Sequence, residues 1–123
     1  WKELEEFLGM DDLLQNVRGW RKPTGGRSLK SAVGWISGER SVDRTGFSAL
    51  PGGYCDGDMF FYNEGYFSYF WTATETDASD AWYRVLTYDI DAIGKFSFSK
   101  KYRFSVRCIK DNPDMQVEAV NKE

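Results

Sequence analysis

The stretch "KFSFSKKYRFSVRCIK", residues 95–110, alternates with a period of two. Phe96, Phe98, Tyr102, Phe104, Val106 and Cys108 share one parity, and Ser97, Ser99, Lys101, Arg103, Ser105 and Arg107 share the other. Successive side chains of a strand point to opposite faces, so this pattern predicts strand with a single apolar face. A turn around "SKK" would separate two strands, with Phe104, Val106 and Cys108 in the core. Upstream, "YFSYFWTATE" and "AWYRVLTYDI" are rich in aromatic and β-branched residues and bounded by turn residues, and each predicts one strand. "FSALPGGY" is broken by Pro51 and two glycines, which suits a strand entering a turn or bulge.

The beginning of the chain has a different period. In "WKELEEFLGM", Trp1, Leu4 and Leu8 recur at spacings of three and four, with Glu3, Glu5 and Glu6 on the other face and Gly9 as terminator. That is a short amphipathic helix. "DDLLQNVRG" predicts a second, capped by Asp11 or Asp12, with Leu13, Leu14 and Val17 as its apolar face, Arg18 in its last turn and Gly19 as its stop. From "WRKPTGG" to "ISGERSVDRTG" the chain is rich in glycine, serine and charge without sustained periodicity, and reads as loop with short extended pieces. One or two helices, a loop region, then four or five short antiparallel strands make an α+β arrangement.

A chain of 123 residues suits one domain with a single core. That domain is expected over residues 1–110, with 111–123 as a polar tail that contains Pro113 and frays. No apolar run is long enough to span a membrane. The start at Trp1, with neither an initiator Met nor a signal peptide, reads as a fragment or processed product.

Charge falls in blocks. Residues 1–17 hold five acids and one base, 18–44 seven bases and two acids, 45–94 eight acids and one base, and 95–110 six bases and no acid. With a net charge of −3 and a sequence pI near 5.0, no uniformly basic footprint for nucleic acid emerges.

The absence of histidine removes the commonest general base and metal ligand, and with it Ser-His-Asp, Cys-His and His-based metal mechanisms. Cys55 and Cys108, with no CxxC pair, fall short of the four ligands of a structural zinc. They are open to either a disulfide in an exported protein or two free thiols in a reducing cell. Asp56, Asp58, Glu64, Glu75, Asp77, Asp80, Asp89 and Asp91 offer carboxylates for glycosidase chemistry, but acids beside glycines and between strands are more often solvated turn residues. "DGD" at Asp56–Asp58 lacks the ligand spacing and closing Glu of an EF-hand, and "PGGY" lacks the Gly-Lys-Ser/Thr of a phosphate loop. No cofactor and no metal is expected.

Aromatic residues make up 17% of the chain, a surplus that a single core must either hide or display. Consecutive aromatics on one strand point to opposite faces, so some of Tyr66, Phe67, Tyr69, Trp82, Tyr83 and Tyr88 lie outside the core. Tyr and Trp interleaved with Ser, Thr and Asp have the composition of adaptable binding surfaces.

Taken in order, "GRSLKSAVGW", "TGFSALPGGY", "FWTATETDASDAWYRVLTYD" and "FSVRCIKDN" resemble the Fibrobacter succinogenes major paralogous domain (FISUMP), a module of bacterial surface proteins and lipoproteins, especially in Bacteroidetes. The resemblance runs from the "WKELEEFLG" helix to Cys108. It implies a C-type-lectin-like fold of the formylglycine-generating-enzyme type, presenting one face of loops and strand ends. Two positions depart from the family pattern: Cys55 stands where Arg usually follows "GGY", and Arg103 where Gly usually precedes "FSVRC". The first leaves open a Cys55–Cys108 pairing peculiar to this chain. The resemblance also points to retroelement-diversified binding proteins of gut bacteria and phage, whose variable interval would here include Tyr83, Thr87, Asp89, Ile90, Ala92, Phe96, Phe98 and Tyr102.

The function expected of such a chain is that of a non-enzymatic adhesion module, monomeric and exported to a bacterial surface as an outer-membrane lipoprotein or secreted protein. It would recognise a glycan or protein on another cell or host surface. Its ligand-binding residues are expected among Tyr66, Tyr69, Trp82, Tyr83, Arg84, Tyr88, Asp89, Asp91 and Phe96. The rival readings are a structural spacer domain and a carboxylate-based glycosidase.

Overall fold

The computed structural model describes residues 1–21, 25–36 and 43–110; the expected tail at 111–123 lies outside them. Three short helices, α1 (Lys2–Phe7), α2 (Asp12–Gln15) and α3 (Gly26–Leu29), accompany strands β1 (Gly19–Arg21), β2 (Tyr54–Cys55), β3 (Phe61–Tyr62), β4 (Phe67–Glu75), β5 (Asp80–Thr87) and β6 (Ile93–Ser99). The principal sheet has the order β1-β6-β5-β4 with every neighbour antiparallel, and β2 and β3 form a separate hairpin. The arrangement is α+β, mostly antiparallel sheet with a few short helices.

Pairing register decides which side chains share a face. Phe70 lies opposite Arg84, Arg84 opposite Lys95, and Ile93 opposite Arg21, so these point to one side. α1 and α2 cover that side. There Phe70, Leu86 and Ile93 join Met10, Leu29 and Ala49 in the core, with Trp1, Leu4, Leu8, Leu14, Trp35 and Phe47 packed against it. The opposite side carries Trp20, Tyr69, Trp71, Tyr83 and Phe96, and its rings are half-covered by Tyr54 and Phe104.

The first helix contains the largest departure from expectation. Glu5, expected on the solvent side, is fully buried, and its carboxylate accepts from Arg84 Nη2 at 3.0 Å and Nε at 3.2 Å, and also from Arg21 Nη2. α1 lies across the sheet where two guanidiniums emerge, and a carboxylate in contact with both satisfies them better than an apolar residue would. α2 is shorter than expected. Asp11 caps it, accepting from Leu14 N at 2.8 Å, but Leu13 and Val17 are exposed, and the chain leaves the helix before Arg18 to enter β1 at Gly19.

"SKK" does turn the chain, but the segment beyond the turn is not a regular strand. Residues 103–105 make isolated bridges, Arg103 with Cys55 and Ser105 with Phe70. Phe104 is half-buried, while Val106, at 71% exposure, and Cys108 lie outside the core, against expectation. The regular pairing of β6 with β5 ends at Ser99, and after Ser105 no described strand pairs with the chain. Both cysteines are free thiols, Cys55 buried and Cys108 exposed.

Within "PGGY", Gly53 has φ +63°, and a Cβ there would lie 2.0 Å from the Tyr62 carbonyl oxygen. Only glycine lets β3 pass this closely, so the motif is structural.

Candidate functional site

The expected binding residues separate into four places. Tyr69, Tyr83 and Phe96 lie in the half-covered aromatic layer. Tyr66, Tyr88 and Asp89 gather at one end of that layer in a groove of about 550 Å³. Trp82 and Arg84 point to the helix-covered side. Asp91 sits apart, where its Oδ1 accepts from the Arg27 backbone N–H at 2.7 Å and ties down the start of α3.

Arg84 is therefore corrected: at 0% exposure and held by Glu5, it belongs to the core and cannot meet a ligand from solvent. Trp82 is occupied by the chain's own cations, with Lys95 Nζ 4.9 Å and the Arg18 guanidinium 5.6 Å from its ring centroid. Of the residues expected in a variable interval, Thr87 and Ala92 are buried, whereas Tyr83, Asp89, Ile90, Phe96, Phe98 and Tyr102 reach the surface to differing degrees.

The groove is built by strand ends. Tyr88 N donates to Tyr66 O at 2.9 Å, joining the exit of β5 to the approach of β4, and the two rings meet edge to face at 5.3 Å. Asn63, at φ +63°, accepts from the backbone N–H groups of Tyr66 and Phe67, while its side-chain amide donates to Tyr69 Oη at 3.1 Å. Asp89 is exposed, and its Oδ1 accepts from Thr87 Oγ1 at 2.9 Å. Trp20, 40% exposed, forms the far wall and rests edge-on against Phe96 at 5.9 Å. The groove thus sets amphipathic rings beside a carboxylate and an amide.

Reading the sequence missed Trp20 and Asn63. β1 is three residues long, too short to show a period, and the left-handed Asn63 is visible only as an Asn in a turn-rich segment. Tyr66 and Tyr88, being interleaved with polar residues, were legible.

Several acids are tied up in loops. Asp56 Oδ1 accepts from the backbone N–H groups of Asp58 and Phe60, and these bonds hold its carboxyl below the usual range. Asp77 does the same for the β4–β5 turn through the Ser79 backbone and hydroxyl and the Asp80 N–H. Among the described residues no three acidic or cysteine side chains gather as a metal site, and no helix is long and apolar enough to cross a membrane. In the aromatic layer, burial pushes the Tyr83 phenol up to about 12, with the nearby Tyr69 adding to the effect and Arg18 opposing it.

Neither the curated proteins nor the solved structures contain a match to this chain. Cys55 and Arg103 face each other across one backbone bridge, with Cys55 N donating to Arg103 O at 3.0 Å and Arg103 N to Cys55 O at 2.8 Å. A family model does match, over residues 1–110 and so across the three described helices, the six described strands and the groove, and the chain belongs to the Fibrobacter succinogenes major domain family.

Proposed function

We propose that this domain is a non-enzymatic recognition module that binds a glycan in the groove between Trp20 and Asp89. The observation that carries the reading is the pairing of two exposed aromatic rings, Trp20 and Tyr66, with the Asn63 amide and the Asp89 carboxylate around one groove. A sugar offers a C–H face that packs on a ring and hydroxyls that need donors and acceptors at its edge, and such a mixed wall matches both. In this reading the α+β scaffold is C-type-lectin-like, and the domain is displayed as a monomer by an exported bacterial surface protein.

Against a carboxylate enzyme stands the use of Asp56, Asp77 and Asp91 as backbone acceptors, which spends acids that catalysis would need. The buried Thr87 and Ala92 count against a surface diversified across the whole interval, because variation there would be read by the core rather than by a partner.

A glycan-array and host-surface screen tests the proposal, comparing the native domain with a Trp20→Ala, Tyr66→Ala variant shown to fold by circular dichroism. Binding to defined glycans that the folded variant loses by about tenfold or more supports the groove. Binding to protein surfaces alone would replace the glycan with a protein ligand. Failure of the native domain to bind anything would favour a structural spacer.

A further inference from the structure

At the other end of the aromatic layer from the groove, two runs of stacked rings meet in a corner. Tyr54 lies between Tyr62 and Tyr102, at centroid distances of 5.2 and 5.8 Å and interplanar angles of 24° and 26°. Phe104 lies between Trp71 and Tyr69, at 4.3 and 5.1 Å and 30° and 24°. The runs are nearly perpendicular, because Tyr54 makes 76° with Tyr69 and 89° with Phe104. Phe98, 4.6 Å from Tyr102, and Tyr83, 4.7 Å from Phe104, complete the walls. The space within is about 140 Å³, and every residue that lines it is a Tyr or a Phe. A cavity of about 150 Å³ is the size that takes up benzene, and a trimethylammonium group is of comparable bulk.

Such a box need not bind a cation, since an apolar group of the same shape would also fit. Charge decides between them. The wall formed by Phe98 and Tyr102 is shared with a second depression that carries Asp56 and Asp58. Asp56 is close enough to Tyr54 and Tyr62 to oppose ionisation of both phenols, and its own carboxyl is held ionised. Lys101 in the same depression, Arg18 near Tyr83 and Arg103, between Tyr102 and Phe104 in the chain, are opposing charges. All three are exposed and none lines the box. Among the described residues the chain's own cations stand over Trp82, Trp35 and Phe47, and none stands over a ring of the box. A space lined wholly by π systems, beside two carboxylates, suits a cation whose charge is spread over methyl groups. A quaternary ammonium loses less hydration on entry than a primary amine does.

We propose that the box formed by Tyr54, Tyr69, Tyr83, Phe98, Tyr102 and Phe104 is a second binding site, specific for a trimethylammonium group. It is separate from the groove and does not depend on the glycan reading. Free choline and a phosphocholine headgroup share this chemistry.

The test is a calorimetric and NMR titration of the domain with tetramethylammonium, choline, phosphocholine and the neutral carbon analogue of choline, in which tert-butyl replaces trimethylammonium. Saturable binding of tetramethylammonium and choline is expected, with ring-proton shifts centred on Tyr54 and Tyr102 rather than Trp20. The carbon analogue should bind about tenfold more weakly. Tyr102→Leu should weaken choline by a similar factor and Tyr102→Phe should retain it. Asp58→Asn, which leaves every ring in place, should weaken choline a few-fold and reduce its dependence on salt. Phosphocholine binding tighter than choline would identify a headgroup as the source, and the reverse order the free amine. Equal binding of choline and its carbon analogue, or no binding of either cation by the folded native domain, would overturn the proposal.

Discussion

Glu5 Oε1 lies 3.0 Å from Arg84 Nη2 with both side chains fully buried, which ties the opening helix to the middle of β5, 79 positions along the chain. The Arg21 guanidinium shares the same carboxylate and also donates through Nε to Ile93 O at 3.1 Å. Removing the acid takes from two buried guanidiniums a counter-charge that both contact. Glu5→Gln is therefore expected to cost about 3–5 kcal/mol in urea unfolding. Replacing the partner as well, as Glu5→Leu with Arg84→Met, should cost less than the sum of the two single changes. Additive single costs would mean that the contact is not what holds α1 to the sheet.

The same contact explains which parts of the fold were legible in sequence. β4 and β5 are nine and eight residues long with aromatic and β-branched runs, and their identity needed no partner to be known. Glu5 looked like a solvent-face residue because its burial is set by Arg21 and Arg84, which helical periodicity does not contain. The alternation in 95–110 correctly placed Phe96, Phe98, Tyr102 and Phe104 on one side. That side is the half-open aromatic layer, though, and Lys95 of the opposite parity is the buried one, its Nζ reaching toward Gln15 O at 3.4 Å. Parity says which residues travel together, not which face the helices will cover. For the candidate groove, ring-rich segments were legible at Tyr66 and Tyr88, whereas Trp20 depended on the pairing of β1 with β6.

Trp20 also depends on a glycine. It lies opposite Gly94 in the β1–β6 register, and a Cβ at Gly94 would approach Val85 Cγ1 to 2.5 Å, Phe96 Cε2 to 2.9 Å and Trp20 Cε3 to 3.2 Å. Gly94→Ala should cost about 1–3 kcal/mol by overpacking. Because Trp20 is the ring with the most freedom to yield, the substitution should also alter tryptophan fluorescence and weaken any ligand of the groove. An alanine variant with native stability and an unchanged spectrum would show that the indole does not rest on this glycine.

Tyr83 gives the aromatic layer a titration signature. Its neutral phenol is favoured by burial, with the folded value pushed from an ordinary 10.0 to about 12. Stability from this group is fully present below pH 10 and is lost as pH rises toward about 12, because the unfolded chain ionises first. Ultraviolet difference titration should show a late tyrosine component that Tyr83→Phe removes. Tyr54 and Tyr69 are raised too, in both cases mainly by burial, and Tyr62 is raised mainly by its hydrogen bond to Asp56, so all three should ionise above 10.0. If all tyrosines ionise together near pH 10 while the domain stays folded, the layer is open to water.

At the acid end of the scale the β4–β5 turn should respond first. Asp77 accepts three hydrogen bonds, from Ser79 N at 2.8 Å, Ser79 Oγ at 2.9 Å and Asp80 N at 2.8 Å, and the first of these does most to hold its carboxyl below 3.8. Lys100, bonded to Glu75 Oε1 and Ala78 O across the turn, adds a further favourable charge. A lowered carboxyl stabilises the fold above its unfolded value, and that contribution disappears as pH falls through the lower folded value. Amide exchange at Ser79 and Asp80, corrected for its intrinsic pH dependence, should therefore stay slow above the ordinary carboxyl value of 3.8 and quicken below it, ahead of the amides from Trp82 onward in β5. Asp77→Ala should remove the step and leave the Ser79 and Asp80 amides exchanging quickly at every pH. A turn that opens at the same pH in both proteins would assign the protection to the Lys100 bridge instead, and Lys100→Met would then reproduce the loss that Asp77→Ala failed to cause.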